Sequence, residues 1–72
     1  MESEDFRTLN IIESAMSKRK FVPVEQIRKY AKLPMDRIEF TLGRLNNLGL
    51  ICRIKRAYVG YTLSYSGYDC LA

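Results

Sequence analysis

The side chains in this sequence that could do chemistry are mainly cations, amides and aromatic rings, which favours binding over catalysis. The 72 residues include no histidine, no glycine-rich phosphate loop and no G-x-S-x-G motif. Asp36 and Glu39 could be taken as a carboxylate pair. Both fall near the start of a predicted helix, however, where acids complement the helix dipole. We therefore expect no catalytic residue and no enzyme activity in this chain.

The cysteines give no sign of a metal site. Cys52 and Cys70 do not form a C-x-x-C pair, and a structural zinc site needs four good ligands. We expect no metal and no cofactor in this segment. Cys52 lies in an apolar strand pattern and is predicted to be a small core residue.

Positive charge is concentrated in the middle of the chain. Residues 18–56 carry eleven Lys and Arg against three acidic residues, a net charge of +8, whereas residues 1–17 carry −3. A basic block suits a polyanion, because each neutralised phosphate releases condensed counterions. A solvated surface with surplus cations is the alternative interpretation.

Two segments combine these cations with aromatic and amide side chains, namely the third predicted helix and a hairpin that follows it. Arginine and asparagine on a helix can read base edges in the major groove, and a basic hairpin with an aromatic ring can bind phosphate and stack on bases. The predicted nucleic-acid interface takes four residues from each segment: Arg37, Phe40, Arg44, Asn47, Arg53, Lys55, Arg56 and Tyr58.

Both segments also allow a different interpretation. Asp36 and Glu39 would approach phosphate with the wrong sign, and an exposed Phe40 suits a protein contact, a nucleobase or packing against a neighbouring element. The charged hairpin edge could serve to prevent strand aggregation. The basic residues at 18–20, Lys29 and Lys32 could extend the patch, but the sequence does not fix the direction in which they point.

Periodic apolar residues predict the helices that position these side chains. The first helix is expected to begin after Ser3 as its N-cap, with an apolar stripe at positions 6, 9, 12 and 16. A short strand at 21–22 should end at Pro23, and a second helix should run from Val24 to Ala31. After a tight turn at 33–34, a third helix begins near Met35.

The third helix and the strands after it are predicted from a change in the spacing of the apolar residues. Ile38, Leu42, Leu45 and Leu48 should face the core, and Gly49 should end the helix in a left-handed conformation. Strands are expected at 50–55 and 58–65, joined by a loop at 56–60. The S-x-x-D pattern at 66–69 predicts a fourth helix from residue 67. Three tyrosines are assigned to core and hairpin packing: Tyr61, Tyr65 and Tyr68.

This order of elements is that of a winged helix-turn-helix domain. The predicted fold class is α+β, mostly α, with three helices, a short strand, a β-hairpin wing and the start of a fourth helix. The length allows one domain, residues 1–72, and the fourth helix is so short that we expect a fragment of a longer protein. No stretch approaches the roughly 18 apolar residues that span a bilayer, and no signal peptide is recognised, so we expect a cytoplasmic protein without membrane contact.

Three stretches resemble a known family. The sequences DFRTL at 5–9, FVP at 21–23 and GYTLSYSGYDCLA at 60–72 resemble the N-terminal winged-helix domain of RIO-type atypical serine/threonine kinases, second subfamily. The strand that runs from Gly60 into residues 67–69 is the distinctive part, whereas residues 48–51 are common to many winged helices. Cys70 departs from the larger residue expected there.

The resemblance implies an N-terminal fragment of a kinase that acts in maturation of the small ribosomal subunit. It implies binding to rRNA or the pre-small-subunit particle, a kinase domain in cis, and ATP and Mg²⁺ in that kinase domain. The family's ATP-binding, metal-binding and catalytic residues lie outside this segment, so none is carried over. A DNA-binding transcription regulator and a pure protein-interaction winged helix remain alternatives. A regulator should dimerise, and this chain is expected to be a monomer.

Overall fold

A computed structural model describes residues 2–72 and contains four helices and one antiparallel sheet. The sheet has three strands in the order β1-β3-β2, so β3 is central. This confirms the predicted α+β, mostly helical, winged-helix architecture. In chain order the elements are α1 (Ser3–Ala15), β1 (Val22–Pro23), α2 (Val24–Ala31), α3 (Met35–Asn47), β2 (Ile51–Lys55), β3 (Val59–Leu63) and α4 (Tyr65–Leu71).

The core lies between the first three helices and one face of the sheet. Most of the predicted apolar stripes are buried there, but Leu48 is 54% exposed and Phe6 is 39% exposed, and for these two the prediction was wrong. Leu48 is the C-cap of α3, one residue beyond its last helical residue Asn47. The buried apolar residues are Leu9, Ile12, Val22, Ile27, Ala31, Ile38, Leu42, Leu45, Ile51 and Leu63.

Two helix caps differ from the sequence predictions. Glu2, rather than Ser3, is the N-cap of α1, and its backbone N–H donates to the Asp5 carboxylate at 3.0 Å. Ser64, rather than residue 66, caps α4 by accepting from the Gly67 N–H at 3.1 Å. The α4 helix therefore starts two residues earlier than expected and leaves Tyr65 92% exposed instead of packed.

The register of the sheet explains a further difference. Ile51 pairs with Leu63, and Arg53 and Lys55 follow Ile51 at two-residue steps, so these three share the core-facing side of β2. Cys52 lies on the opposite side and is exposed, so its prediction as a core residue was wrong. The hairpin loop is also shorter than predicted, at 56–58.

The turns that set the helix angles agree largely with expectation. Gly49 adopts a φ of 74°, which confirms the left-handed end of α3, and Lys32 adopts a φ of 56° after α2. Pro23 belongs to β1 rather than ending it. A proline is tolerated there because β1 is an edge strand, and the same residue is the N-cap of α2.

Candidate nucleic-acid interface

The outward face of α3 carries little positive charge. The residues opposite its buried stripe are Asp36, Phe40, Gly43 and Asn47, all of them exposed. They recur at steps of four, three and four and so form one row along the helix. A row made of one acid, one phenyl ring, one glycine and one amide offers phosphate no cation.

The two arginines predicted on this face point instead toward the start of α1. The Arg37 Nη2 atom lies 2.8 Å from the Glu4 carboxylate. The Arg44 Nη2 atom donates to Asp5 Oδ1 at 2.6 Å and lies 3.6 Å from Glu2 Oε2. The acidic N-terminal segment that the charge pattern isolated therefore neutralises both cations.

The pair between Arg44 and Asp5 is the most enclosed of these contacts. Asp5 is 1% exposed, and its two carboxylate oxygens accept from Arg44 and from the backbone N–H of Glu2. The hydrogen bond to Asp5 raises the pKa of Arg44, and the hydrogen bond to Glu4 raises the pKa of Arg37. The stabilisation linked to a raised arginine pKa is lost only as pH rises through that raised value, so at the alkaline end these pairs persist to strongly alkaline pH.

Phe40 lies beside the paired arginines. Its ring centroid is 5.1 Å from the guanidinium carbon of Arg44 and 6.0 Å from that of Arg37, and 58% of Phe40 is exposed. At these distances the ring faces contribute a cation–π attraction at an exposed site. The three residues form one cluster anchored to α1, which we call the α3 arginine cluster.

The cations of the hairpin differ from the α3 arginines in their pairing. Arg53, Lys55 and Arg56 are exposed, and no carboxylate oxygen among residues 2–72 lies within 4.0 Å of their charged groups. They extend from the core-facing side of β2 to the loop at 56–58. We call these three residues the wing cations.

A cleft lies between the base of the wing, at Arg53, and one edge of α3. Its volume is about 370 Å³, and it lies between Arg53 on β2 and Gly43 on α3. Glu39 also lines the cleft without coming within ion-pair distance of Arg53. Gly43 is notable because a Cβ added there would meet nothing within 4 Å, so packing does not require glycine at this exposed helical position. The remaining lining residues are Val24, Leu42, Asn46, Val59 and Tyr61.

Tyr58 takes part in packing to a greater extent than predicted. Its ring stacks on Phe21 with centroids 4.7 Å apart, and its hydroxyl donates to the Phe21 carbonyl oxygen at 3.0 Å. The two rings cover Gly60, where an added Cβ would lie 2.5 Å from the Phe21 ring. The close approach of Phe21 therefore accounts for the glycine in β3.

The eight predicted residues thus fall into separate places. Arg37 and Arg44 pair with α1, while Phe40 and Asn47 stand in the outward row. The wing cations lie on β2 and its loop, where Arg53 lines the cleft, and Tyr58 packs on Phe21. Sequence reasoning did not single out Gly43, although a glycine inside a predicted helix is itself a signal.

Comparison with known proteins identifies the family. The sequence model described as "Rio2, N-terminal" matches residues 1–72. This chain belongs to the Rio2 N-terminal family. The serine/threonine-protein kinase rio2 of Dictyostelium discoideum is 36% identical over 72 residues, which are 100% of this chain and 14% of that protein. The resemblance inferred from the three sequence stretches is confirmed, and the chain covers only a small part of its kinase relatives.

Solved structures agree on the fold. The Rio2 kinase of Chaetomium thermophilum, in its complex with ADP/Mg²⁺-phosphoaspartate, matches with a TM-score of 0.89 and 35% identity, covering 100% of this chain and 22% of that kinase. MepR, a transcription regulator of Staphylococcus aureus, matches with a TM-score of 0.88 at 19% identity, over 99% of this chain and 53% of the regulator. The second likeness shows the winged-helix fold alone.

Within residues 2–72, no helix combines the length and the apolar character that a bilayer crossing requires. The same part of the chain holds no group of three or more residues arranged as ligands for a metal ion.

Proposed function

We propose that this Rio2 N-terminal domain is a non-catalytic RNA-binding module that attaches a serine/threonine kinase to the pre-small-subunit particle, and that the wing makes the main contact. The proposal assigns RNA phosphates to the wing cations and the close approach of the RNA backbone to the cleft edge at Gly43. The proposal rests on the difference between the wing cations and the α3 arginines, since only the α3 arginines are paired with carboxylates in the described part of the chain. It also rests on the kinases to which the chain is similar.

The observation that carries the proposal is the unpaired state of the wing cations. A cation without a protein carboxylate within 4.0 Å can exchange its counterions for phosphate without first breaking an ion pair. Arg37 and Arg44 would have to leave Glu4 and Asp5 to do the same. The proposed interface therefore uses the wing and not the paired arginines of α3.

The outward row of α3 disfavours base reading in duplex DNA. A recognition helix reads the major groove through side chains on its outward row, and here that row carries Asp36 and no cation. Contacts between a wing and the phosphate backbone fix the orientation of the protein but do not read the base sequence. A DNA-binding regulator is thus the weaker candidate.

The remaining parts of the proposal concern the whole protein. Kinase activity, with ATP and Mg²⁺, belongs to a kinase domain that corresponds to the rest of the relatives' sequence. That kinase domain is a partner of this module in cis. The intact protein acts as a cytoplasmic monomer in maturation of the small ribosomal subunit.

Titration with fragments of small-subunit ribosomal RNA tests the proposal. Fluorescence anisotropy should show binding by the 72-residue chain that weakens steeply with salt, since each phosphate contact contributes about −0.9 or −0.7 to the slope of log K against log salt for duplex or single strands. The wing variant Arg53→Glu/Lys55→Glu/Arg56→Glu should lose at least about 100-fold in affinity at low salt.

A charge-matched variant provides the control. Arg7→Glu/Lys18→Glu/Lys29→Glu also changes the net charge from +4 to −2 through three reversals of two units each, but places them on α1, the turn after it and α2. It should bind RNA distinctly more tightly than the wing variant. Equal loss in both variants, with circular dichroism unchanged, would show that net charge and not the wing governs binding.

A further inference from the structure

A second surface lies on α1 and α2, away from the wing. Within residues 2–72, a groove of about 1180 Å³ is lined by residues of α1, the turn after it and α2. Its apolar part includes Phe6, which is 39% exposed, Tyr30, which is 55% exposed, and the half-buried Ile11. Large aromatic side chains that remain this exposed beside an aliphatic residue form a surface that favours apolar contact.

The apolar part of the groove has a basic rim. Arg7, Lys18, Arg19 and Lys29 all line it, and none of their charged groups lies within 4.0 Å of a carboxylate oxygen in the described part of the chain. Among the described lining residues the one acid is Glu25, whose carboxylate lies 3.9 Å from the Arg28 guanidinium. The rim therefore presents unbalanced positive charge around an apolar centre.

We propose that this groove binds an acidic amphipathic helix of a partner protein. The α1 helix has 13 residues, which corresponds to about 20 Å, so the groove can accommodate about three turns of a second helix. Apolar residues at i, i+3, i+4 and i+7 of that helix would contact Phe6, Ile11 and Tyr30. Its carboxylates would then face the rim.

Charge and apolarity together select a peptide over a nucleic acid. Phosphates would satisfy the rim and bases could stack on Phe6 or Tyr30, but the aliphatic Ile11 would be left without an apolar partner. An amphipathic helix satisfies both features, because the spacing of its side chains places one apolar stripe between two charged flanks. The groove shares no residue with the wing cations or their cleft, so this inference stands independently of the proposed RNA contact.

The test uses a designed peptide. A fluorescein-labelled peptide of about 14 residues, with leucine at i, i+3, i+4 and i+7 and glutamate elsewhere, should bind the chain with a Kd on the order of 10 μM. A peptide with lysine in place of glutamate tests the charge, and one with serine in place of leucine tests the apolar contact. Both should bind at least about tenfold more weakly.

Variants of the chain locate the site. Tyr30→Ser removes an exposed ring without touching the core and should weaken peptide binding about tenfold. The groove variant Arg7→Glu/Lys18→Glu/Lys29→Glu should abolish peptide binding. The wing variant Arg53→Glu/Lys55→Glu/Arg56→Glu has the same net charge and should bind the peptide distinctly more tightly than the groove variant. Circular dichroism and thermal melting verify that each variant is folded.

Other outcomes would overturn the proposal. Equal binding of the glutamate and lysine peptides would remove the role of the rim, and insensitivity to Tyr30→Ser would remove the role of the apolar centre. If ribosomal RNA fragments bind and require the groove cations rather than the wing cations, the groove is a nucleic-acid site. Self-association of the chain through Tyr30, seen by sedimentation, would assign the groove to a second copy.

Discussion

The α3 helix and the wing contain the same kinds of basic residue, yet only those of the wing are available to a partner. Arg37 and Arg44 each lie within 3 Å of a carboxylate on α1, whereas Arg53 has none within 4.0 Å among the described residues. The α3 arginines hold two helices together, and the wing cations face solvent. A count of cations therefore overstates the surface that can receive phosphate.

The physical cause of the Arg44 pairing is the burial of Asp5. A buried carboxylate without a partner is expensive, so its environment must supply donors. Arg44 supplies one at 2.6 Å and the Glu2 backbone N–H supplies another. Moving Arg44 toward RNA would leave Asp5 buried and under-compensated, which opposes an interface on this side of α3.

Removing the buried carboxylate should produce the largest effect on stability. Asp5→Ala deletes the hydrogen bonds to Arg44 and to the N-cap, so we expect a loss of about 2 kcal/mol, or about 10 °C in Tm. Urea denaturation and thermal melting measure it. Glu13→Ala, which removes an exposed acid from the same helix, is the control and should change stability little.

The same variant also tests whether Arg44 is withheld from RNA. Once freed, Arg44 can reach phosphate, and the affinity of the folded variant for ribosomal RNA should rise about threefold. A fall in affinity would mean that the native cluster itself contacts RNA.

A single wing substitution should have the next largest effect. Arg56→Gln removes one unpaired cation from the hairpin loop, so RNA affinity should fall about fivefold to tenfold, with the salt slope reduced by about 1. Arg19→Gln is the matched control, since it removes one exposed arginine that also has no carboxylate within 4.0 Å in the described part of the chain. An equal loss in both would leave the wing without a special role.

Substitution of Gly43 should have a smaller effect, which concerns both stability and RNA affinity. Because an added Cβ meets nothing within 4 Å, Gly43→Ala should stabilise α3 by about 0.5–1 kcal/mol. If the RNA backbone approaches the cleft edge, the same change should weaken RNA binding about threefold. Stabilisation with unchanged binding would exclude this edge from the interface.

Phe40 should give the smallest effect. Phe40→Ala loses a cation–π contact and gains helix propensity, so we expect stability to stay within about 0.5 kcal/mol. RNA affinity should also remain unchanged, because Phe40 lies in the row that carries no cation. A loss beyond about threefold in anisotropy titrations would bring the outward row of α3 into the interface.

The sequence predicted the elements well and the state of the charges poorly. Val24 and Ala31 bound α2 as expected, because Pro23 precedes its first turn and the turn at 33–34 follows its end. The pairing of Arg44 with Asp5 joins residues 39 positions apart, which no local pattern reveals. Likewise Cys52 was predicted on the wrong side of β2, because a period-two pattern does not show which side of a strand faces the core.

The most direct test of the central claim is an amide chemical-shift map of the 72-residue chain titrated with a ribosomal RNA fragment that it binds. We expect the largest shifts at 53–58 and at the cleft residues Gly43 and Asn46, with Asp36, Phe40 and the start of α1 nearly unchanged. The opposite distribution, with the largest shifts at Arg37, Phe40 and Arg44 and little change in the wing, would contradict the assignment of RNA binding to the wing.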